Sequence, residues 1–433
     1  MKNNYLLKCL LTTTLFLDLN ANDIYNIDDL ILKAFENSPS LKISKSNYEA
    51  SKSRYKSVSS AYLPNVDFHA SAGKTGVTDT FGGTQNMIDD TLLLGKLSAK
   101  QIIYDFGATG GVIDSSKYDS QSLNMQNIDD IIIKKRDIKE AYYNVLKAIA
   151  LIEVQKENIK LNTAQLYRSE KYFEAGIRTK IDISDAKVSL IKAKLELKKA
   201  EYKLKIEYAK LDETVGFTAL QREYTLFTKE LDLSNIYESL SPYKFNLKES
   251  ILYAYENKAS LKKQTAKVNS SLSQENQVSS NYYPSIYFSA DYTKQSVDTF
   301  KQFTPKDKWQ ASLNIDWNIY KGGETNAKVQ ENKINTSIQR DALIKMELSI
   351  KKKTTEAFLN LHQNRDTLEL SQSLVEVSSE KFNQASKRYE HGLSDYIELQ
   401  QARQGYIDAK ASLIVDYYNY YISVAYLDSA IGK

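Results

Sequence analysis

The chain of 433 residues holds one cysteine, three histidines, two tryptophans and only five prolines. Each shortage removes a class of protein. A lone cysteine builds no disulfide framework, and His69, His362 and His391 lie far apart without the spacing of a metal site. Nothing after residue 21 approaches 18 consecutive apolar residues, so no transmembrane helix is expected. Glycine and proline are too few for a low-complexity chain, and 42% apolar residues are too many for a disordered one. The balance of 58 basic against 54 acidic residues, spread without a basic block, argues against a nucleic-acid partner. The prolines are Pro39, Pro64, Pro242, Pro284 and Pro305, which leaves 65–241 and 306–433 free of them and open to very long helices.

Enzyme signatures are missing too. There is no Gly-x-Ser-x-Gly, no P-loop and no dinucleotide fingerprint; Phe81-Gly82-Gly83 and Lys321-Gly322-Gly323 are too short to cradle a phosphate. No catalytic residue, metal or cofactor is expected. Residues 1–21 do carry a signal: Lys2 gives a charged start, Leu10 to Leu17 a short apolar core, and Leu19-Asn20-Ala21 a cleavage site. Read as a secretory signal peptide, this segment takes Cys9 with it and sends the mature chain out of the cytoplasm.

What is present is a duplication. Glu36-Asn37-Ser38-Pro39-Ser40-Leu41 matches Glu256-Asn257-Lys258-Ala259-Ser260-Leu261, and Tyr62-Leu63-Pro64 matches Tyr282-Tyr283-Pro284, both at an offset of 220. Ile103-Tyr104 matches Ile319-Tyr320, and Leu211-Asp212 matches Leu427-Asp428, at an offset of 216. The slip of four residues falls between 75 and 97, where a variable loop is expected. The division that follows is a signal peptide (1–21), a first repeat (22–216), a linker (217–245) and a second repeat (246–433).

Around the slip the pattern alternates with period two. Val66, Phe68, Ala70 and Ala72 face one way against Asn65, Asp67, His69 and Ser71; Trp309, Ala311, Leu313, Ile315, Trp317 and Ile319 oppose Gln310, Ser312, Asn314, Asp316 and Asn318. Each repeat therefore offers one hairpin, at about 64–104 and about 284–320, with strands of about 10 residues, enough to cross a bilayer at a tilt. Trp309 and Trp317 on the apolar face suit the two membrane interfaces. A soluble hairpin packed on one face is the competing reading.

The remainder reads as helix, including about 28–61 and about 108–175. Ile131, Ile138, Val145, Ile152, Ile159, Leu166 and Phe173 recur every seventh residue, and Leu361, Leu368, Val375, Phe382 and Tyr389 keep the same phase at an offset of 216. The return segments carry Leu190, Leu197, Leu204 and Leu211, then Leu399, Tyr406, Leu413, Tyr420 and Leu427, beside a small-residue seam of Ala186, Ala193 and Ala200. Such heptads argue for coiled-coil packing in two equivalent copies.

Four strands with lipid on one face leave two open edges, and unpaired backbone groups in hydrocarbon are costly. Several chains must then share one barrel, and three chains with twelve strands is the smallest ring with room for a lumen. The expected fold is mainly α with β: a long coiled-coil α-helical barrel continuous with a trimeric 12-stranded transmembrane β-barrel, four strands per chain.

In this duplicated order of helix, Tyr-x-Pro strand start, hairpin, long helix, glycine turn and return helix, the sequence resembles the TolC family of outer-membrane channel proteins. The turn motifs are Tyr172-Phe173-Glu174-Ala175-Gly176-Ile177-Arg178 and Arg388-Tyr389-Glu390-His391-Gly392-Leu393-Ser394. The resemblance implies an outer-membrane homotrimer whose helical tunnel projects into the periplasm. It also implies docking through a periplasmic adaptor to an inner-membrane pump, for efflux or type I secretion. A coiled-coil surface or scaffold protein that forms no channel is the other class.

The resemblance further implies that the turns at Gly176 and Gly392 close the periplasmic end. Acidic residues six and nine positions after the second glycine ring the pore in the family; here these positions are Glu398 and Gln401, while the first repeat has Asp182 and Asp185. Thr179-x-x-Asp182 and Asp395-x-x-Glu398 equally fit helix capping boxes. Tyr389 stands at the family's closing tyrosine, Ser394 replaces its arginine, and Arg178 occupies the equivalent place in the first repeat, which suggests a rearranged latch.

Overall fold

The computed structural model describes residues 23–81, 84–219, 224–228, 235–238, 240, 242–299 and 302–433. The signal-peptide reading and Cys9 lie outside them. A short strand β1 (Asp23–Tyr25) leads into α1 (Ile27–Asn37) and α2 (Pro39–Ser59), then β2 (Asn65–Phe81), β3 (Thr84–Tyr104), α3 (Ala108–Glu174) and α4 (Lys180–Val215). After β4 (Tyr224–Leu226) the succession recurs as α5 (Leu247–Asn257), α6 (Ala259–Ser279), β5 (Ser285–Thr299), β6 (Gln302–Asp316), α7 (Glu324–Glu390) and α8 (Tyr396–Ile431).

The helix starts are written locally. Asn26 accepts from the backbone of Asp28 and Asp29 while Asp29 bonds back to Asn26, and Asn246 and Glu249 repeat this capping box at α5. Both α3 and α7 run for 67 residues, about 100 Å at 1.5 Å per residue. The single helix expected over about 28–61 is two helices instead. Ser38 is extended (φ −60°, ψ 117°) because a residue before proline avoids the helical region, and Pro39 restarts the helix at its first position. In the second repeat the same break falls at Lys258 (φ −64°, ψ 117°) with no proline to cause it.

Both joints lie against the end of a return helix. α4 ends on Gly216 (φ +90°), where a Cβ would lie 3.0 Å from Ser38 Cα, and α8 ends on Gly432 (φ +88°), where it would lie 3.1 Å from Lys258 Cα. Each return helix thus abuts the joint between two shorter helices, while α3 and α7 pass the joint unbroken. The heptad positions Ile138, Val145, Leu211, Leu361, Leu368, Leu413 and Leu427 are buried, as are Ala186 and Ala193. Each large aliphatic among them contributes about 1.5–3 kcal/mol by leaving water. At the far end the first-repeat position Phe173 is exposed, while Tyr389 and Leu399 of the second repeat stay buried.

The four long strands form one antiparallel sheet in the order β2-β3-β5-β6, so β3–β5 joins the repeats and β2 and β6 are open edges. The strands, at 15 to 21 residues, are longer than the 10 expected. The slip of four residues is not a loop. β2 pairs with β3 at 17 positions, Asn65↔Lys100 to Phe81↔Thr84, and β5 with β6 at 15, Ser285↔Asp316 to Thr299↔Gln302. Two extra rungs, four residues, make the first hairpin taller. Pro305 pairs with Ser296 inside β6. β6 stops at Asp316, before Trp317 and Ile319, because β5 offers no residue beyond Ser285 to pair with.

The linker is partly structured. β4 pairs in parallel with β1, and Tyr224 and Leu226 bury themselves against Leu30, Val145 and Leu211. Ile236 then meets Leu368 and Leu413, and Tyr243 donates to Asp428 Oδ1 at 2.8 Å.

Candidate functional site

Two regions concentrate groups that no folding requirement explains. The first is the outer face of the sheet. Phe68, Leu97, Tyr292 and Trp309 are directly paired across the four strands and are 74%, 46%, 44% and 78% exposed. Leu313 and Ile315 continue this surface. An apolar and aromatic row that spans a whole sheet and meets no other part of the chain is a surface made for a partner or for lipid. Trp317 marks its lower end, where its indole N–H donates to Tyr282 O at 3.1 Å at the junction of helix and strand.

The opposite face carries most of the sheet's polar groups, with Leu92, Leu94 and Ile102 among them. Lys96 meets Asp291 at 3.0 Å, Lys100 lies over the Tyr287 ring at 4.1 Å, and Asn314 donates to Ser289 Oγ at 2.9 Å. No helix among the described residues is long and apolar enough to cross a membrane, and among them no metal-ligating cluster occurs. His69 lies on the sheet's polar side, the His362 ring packs 4.4 Å from Phe358, and His391 caps α7.

The second region is the helical tip, where α3, α4, α7 and α8 converge. Gly176 (φ +71°) and Gly392 (φ +72°) both end a long helix in the left-handed region with open space where a Cβ would be, so backbone conformation alone asks for glycine. Ile177 N–H and Leu393 N–H close the turns on Tyr172 O and Arg388 O at 2.9 and 2.8 Å.

Arg178 crosses between the turns. Its guanidinium donates to Ser394 O at 3.0 Å, reaches Tyr389 O at 3.5 Å and lies 4.7 Å above the Tyr389 ring. Tyr389 is buried among Ala186, Ala385, Tyr396 and Leu399. Burial pushes its phenol above the ordinary tyrosine value; the Ser169 hydroxyl and the Arg178 charge pull it down, while Asp182 pushes it up. Arg168 adds a second crossing to Glu390 at 2.7 Å, one that sequence reasoning missed because an isolated arginine and glutamate 222 residues apart give no signal.

The acidic positions are divided. Thr179 makes no side-chain cap, so the first capping box is absent; Asp182 sits instead within electrostatic reach of Tyr389. Asp395 does cap α8 through Glu398 N–H at 2.9 Å, but the Glu398 carboxylate turns to Arg388 Nε at 3.1 Å rather than completing the box. Asp185 and Gln401 are exposed one helical turn further along α4 and α8.

With this geometry in place, comparisons with known proteins are informative. The family described as Outer membrane efflux protein matches residues 30–216 and again 252–433. No curated protein matches the chain. Among solved structures the fold is similar to CusC, with 15% identity, 95% of this chain and 93% of that one covered, and a TM-score of 0.85. It is also similar to VceC of Vibrio cholerae (14% identity, 94% and 96% covered, TM-score 0.78) and to CmeC of Campylobacter jejuni (15%, 94% and 85%, 0.79). Matched over both of its halves and sharing its architecture with outer-membrane channels end to end, the chain belongs to the TolC-like outer membrane efflux protein family.

Proposed function

We propose that three copies of the chain form a passive outer-membrane channel whose helical tunnel enters the periplasm. There it would meet a periplasmic adaptor and an inner-membrane pump for efflux or type I secretion. The observation that carries this reading is the four-stranded sheet with one apolar, exposed face and two open edges. A lone sheet of this kind cannot stand in hydrocarbon, whereas β2 of one copy against β6 of the next closes twelve strands and satisfies every edge. The apolar row then faces lipid and the Lys96, Asp291 and Asn314 side lines water.

In the same arrangement the 100 Å helices continue the barrel as its tunnel. Gly176 and Gly392 lie at its far end, Arg178 and Tyr389 hold the two tip turns together, and Asp182, Asp185, Glu398 and Gln401 stand beside the opening. The test is twofold. Purified outer membranes should yield a trimer that migrates as a monomer after heating, and the trimer should conduct in planar bilayers. A soluble periplasmic monomer would overturn the proposal.

A further inference from the structure

Where α8 ends and α6 begins, α3 and α7 wall a cavity of about 730 Å³. Its direction follows from the helix faces. The linker and α5 cover α7 and α8 on the side of Phe358, Leu361 and Tyr420. Lys353, Asn360 and Asn364 line the cavity roughly a third of a turn away around α7, and Ile422 and Tyr426 line it from the far side of α8. The cavity therefore opens away from the linker. In the channel proposed above, on which this step rests, the linker and α5 would form a layer outside the helical ring, and the opening would then face the axis.

Its charges do not cancel. Arg136 is held by Asp137 Oδ1 at 2.6 Å and lies 5.0 Å over the Tyr426 ring; Glu356 meets Lys352 at 3.5 Å. Lys258 stands 3.3 Å from Asp129 and donates to Ser429 O at 2.6 Å. Burial holds its ammonium below the ordinary lysine value; Asp129 opposes this, and Lys353 and Arg136 deepen it. Lys353 has no carboxylate partner among the described residues, and Lys263 reaches only the neutral Gln126 Oε1 at 2.7 Å. The first turn of α6 also lacks a side-chain cap. Two positive charges thus remain uncompensated beside an apolar wall of Met346, Ile350 and Ile422.

The repeat shows that this set is not a packing requirement. At the offsets of 216 and 220, Lys353, Lys258 and Lys263 correspond to Asp137, Ser38 and Ile43, so the first repeat builds its joint without any of them. We propose that the cavity binds organic anions, one anionic group on an apolar body, as a resting site for cargo in the tunnel wall. The lysines would take the anion and the Met346, Ile350 and Ile422 surface the apolar body.

The probe is naphthalene-2-sulfonate, titrated calorimetrically into the full chain in zwitterionic lipid nanodiscs, with 2-naphthylmethylammonium as the cation of the same shape. Saturable sulfonate binding near one per chain is expected, with no saturable binding of the cation. Lys353→Glu alters an exposed side chain and should weaken the sulfonate roughly tenfold, as loss of one charge-assisted contact does; Lys263→Glu should act likewise. Unchanged affinity in both variants, or equal binding of the cation, overturns the inference. Conductance in planar bilayers is read separately. A conducting trimer without sulfonate binding removes the anion site and leaves the channel. Binding by a chain that conducts nothing keeps the site and removes its role in transport.

Discussion

Replacing Arg178 by alanine removes a side chain that ties the first tip turn to the second through a hydrogen bond of 3.0 Å and a ring stack of 4.7 Å. A bond from a charged donor contributes about 1.5–3 kcal/mol, and partial exposure of Arg178 places this one at the low end. The stack on Tyr389 adds about 0.5–1 kcal/mol, and the 3.5 Å approach to Tyr389 O little. The sum, about 2 kcal/mol per chain, corresponds to roughly a thirtyfold change in the balance between joined and separated turns. Single-channel recording of the reconstituted trimer reads that balance as the fraction of time spent in the high-conductance state. Arg178→Ala should raise that fraction by an order of magnitude or more. Arg178→Lys should lie between, because lysine keeps the charge but loses the planar fork that both bonds and stacks. If conductance and open fraction are unchanged in Arg178→Ala while the trimer stays intact, the latch is refuted.

Two adjacent glycines give opposite expectations. A Cβ at Gly111 would lie 2.7 Å from Gln277 Cβ and from Ser273 O, whereas at Gly110 it would meet only the movable Tyr62 hydroxyl at 3.1 Å. Gly111→Ala should lower the temperature at which the trimer dissociates on gels, by about 1–3 kcal/mol of overpacking, while Gly110→Ala should hold or raise it through helix propensity. Burial, with Tyr421 and Tyr142 adding, pushes the Tyr143 phenol up to about 12. Its folded-state value exceeds its unfolded one, so its contribution is full below pH 10 and declines from pH 10 towards 12; Tyr143→Phe should flatten alkaline unfolding in that window. In lipid vesicles, Trp309 fluorescence should be quenched by brominated acyl chains, and a chain whose emission ignores them would contradict the orientation of the sheet.

The sequence announced some of these features and concealed others for physical reasons. Proline-free runs and heptads marked α3, α4, α7 and α8, since burial of Val145 or Leu368 is a periodic, local signature. The contact of Arg178 with the second turn was legible through the duplication, and Arg178 in fact bonds the backbone of its own counterpart, Ser394. The break at Pro39 was masked by a helical pattern on both sides of it, and the break at Lys258 has no proline to mark it and lies against Gly432, 174 residues away. The cavity was equally hidden. Asp129, Lys353 and Tyr426 come from three helices and Lys258 from the joint between two others, and no spacing connects them. A four-residue slip looked like a loop because sequence alignment counts residues, whereas a hairpin grows by rungs.

The two joints have a mechanical meaning. At the level where α4 meets the α1–α2 break and α8 meets the α5–α6 break, only α3 and α7 run through continuous backbone. Twisting the tip relative to the sheet at this level breaks no helical hydrogen bond in the short helices, since none crosses the seam between the stacked ends. It has to slide one glycine-capped end over its neighbour and, in the second repeat, to strain the bond from Lys258 Nζ to Ser429 O. Through this level the two unbroken rods alone carry continuous helix between sheet and tip, and they keep the length of the molecule fixed.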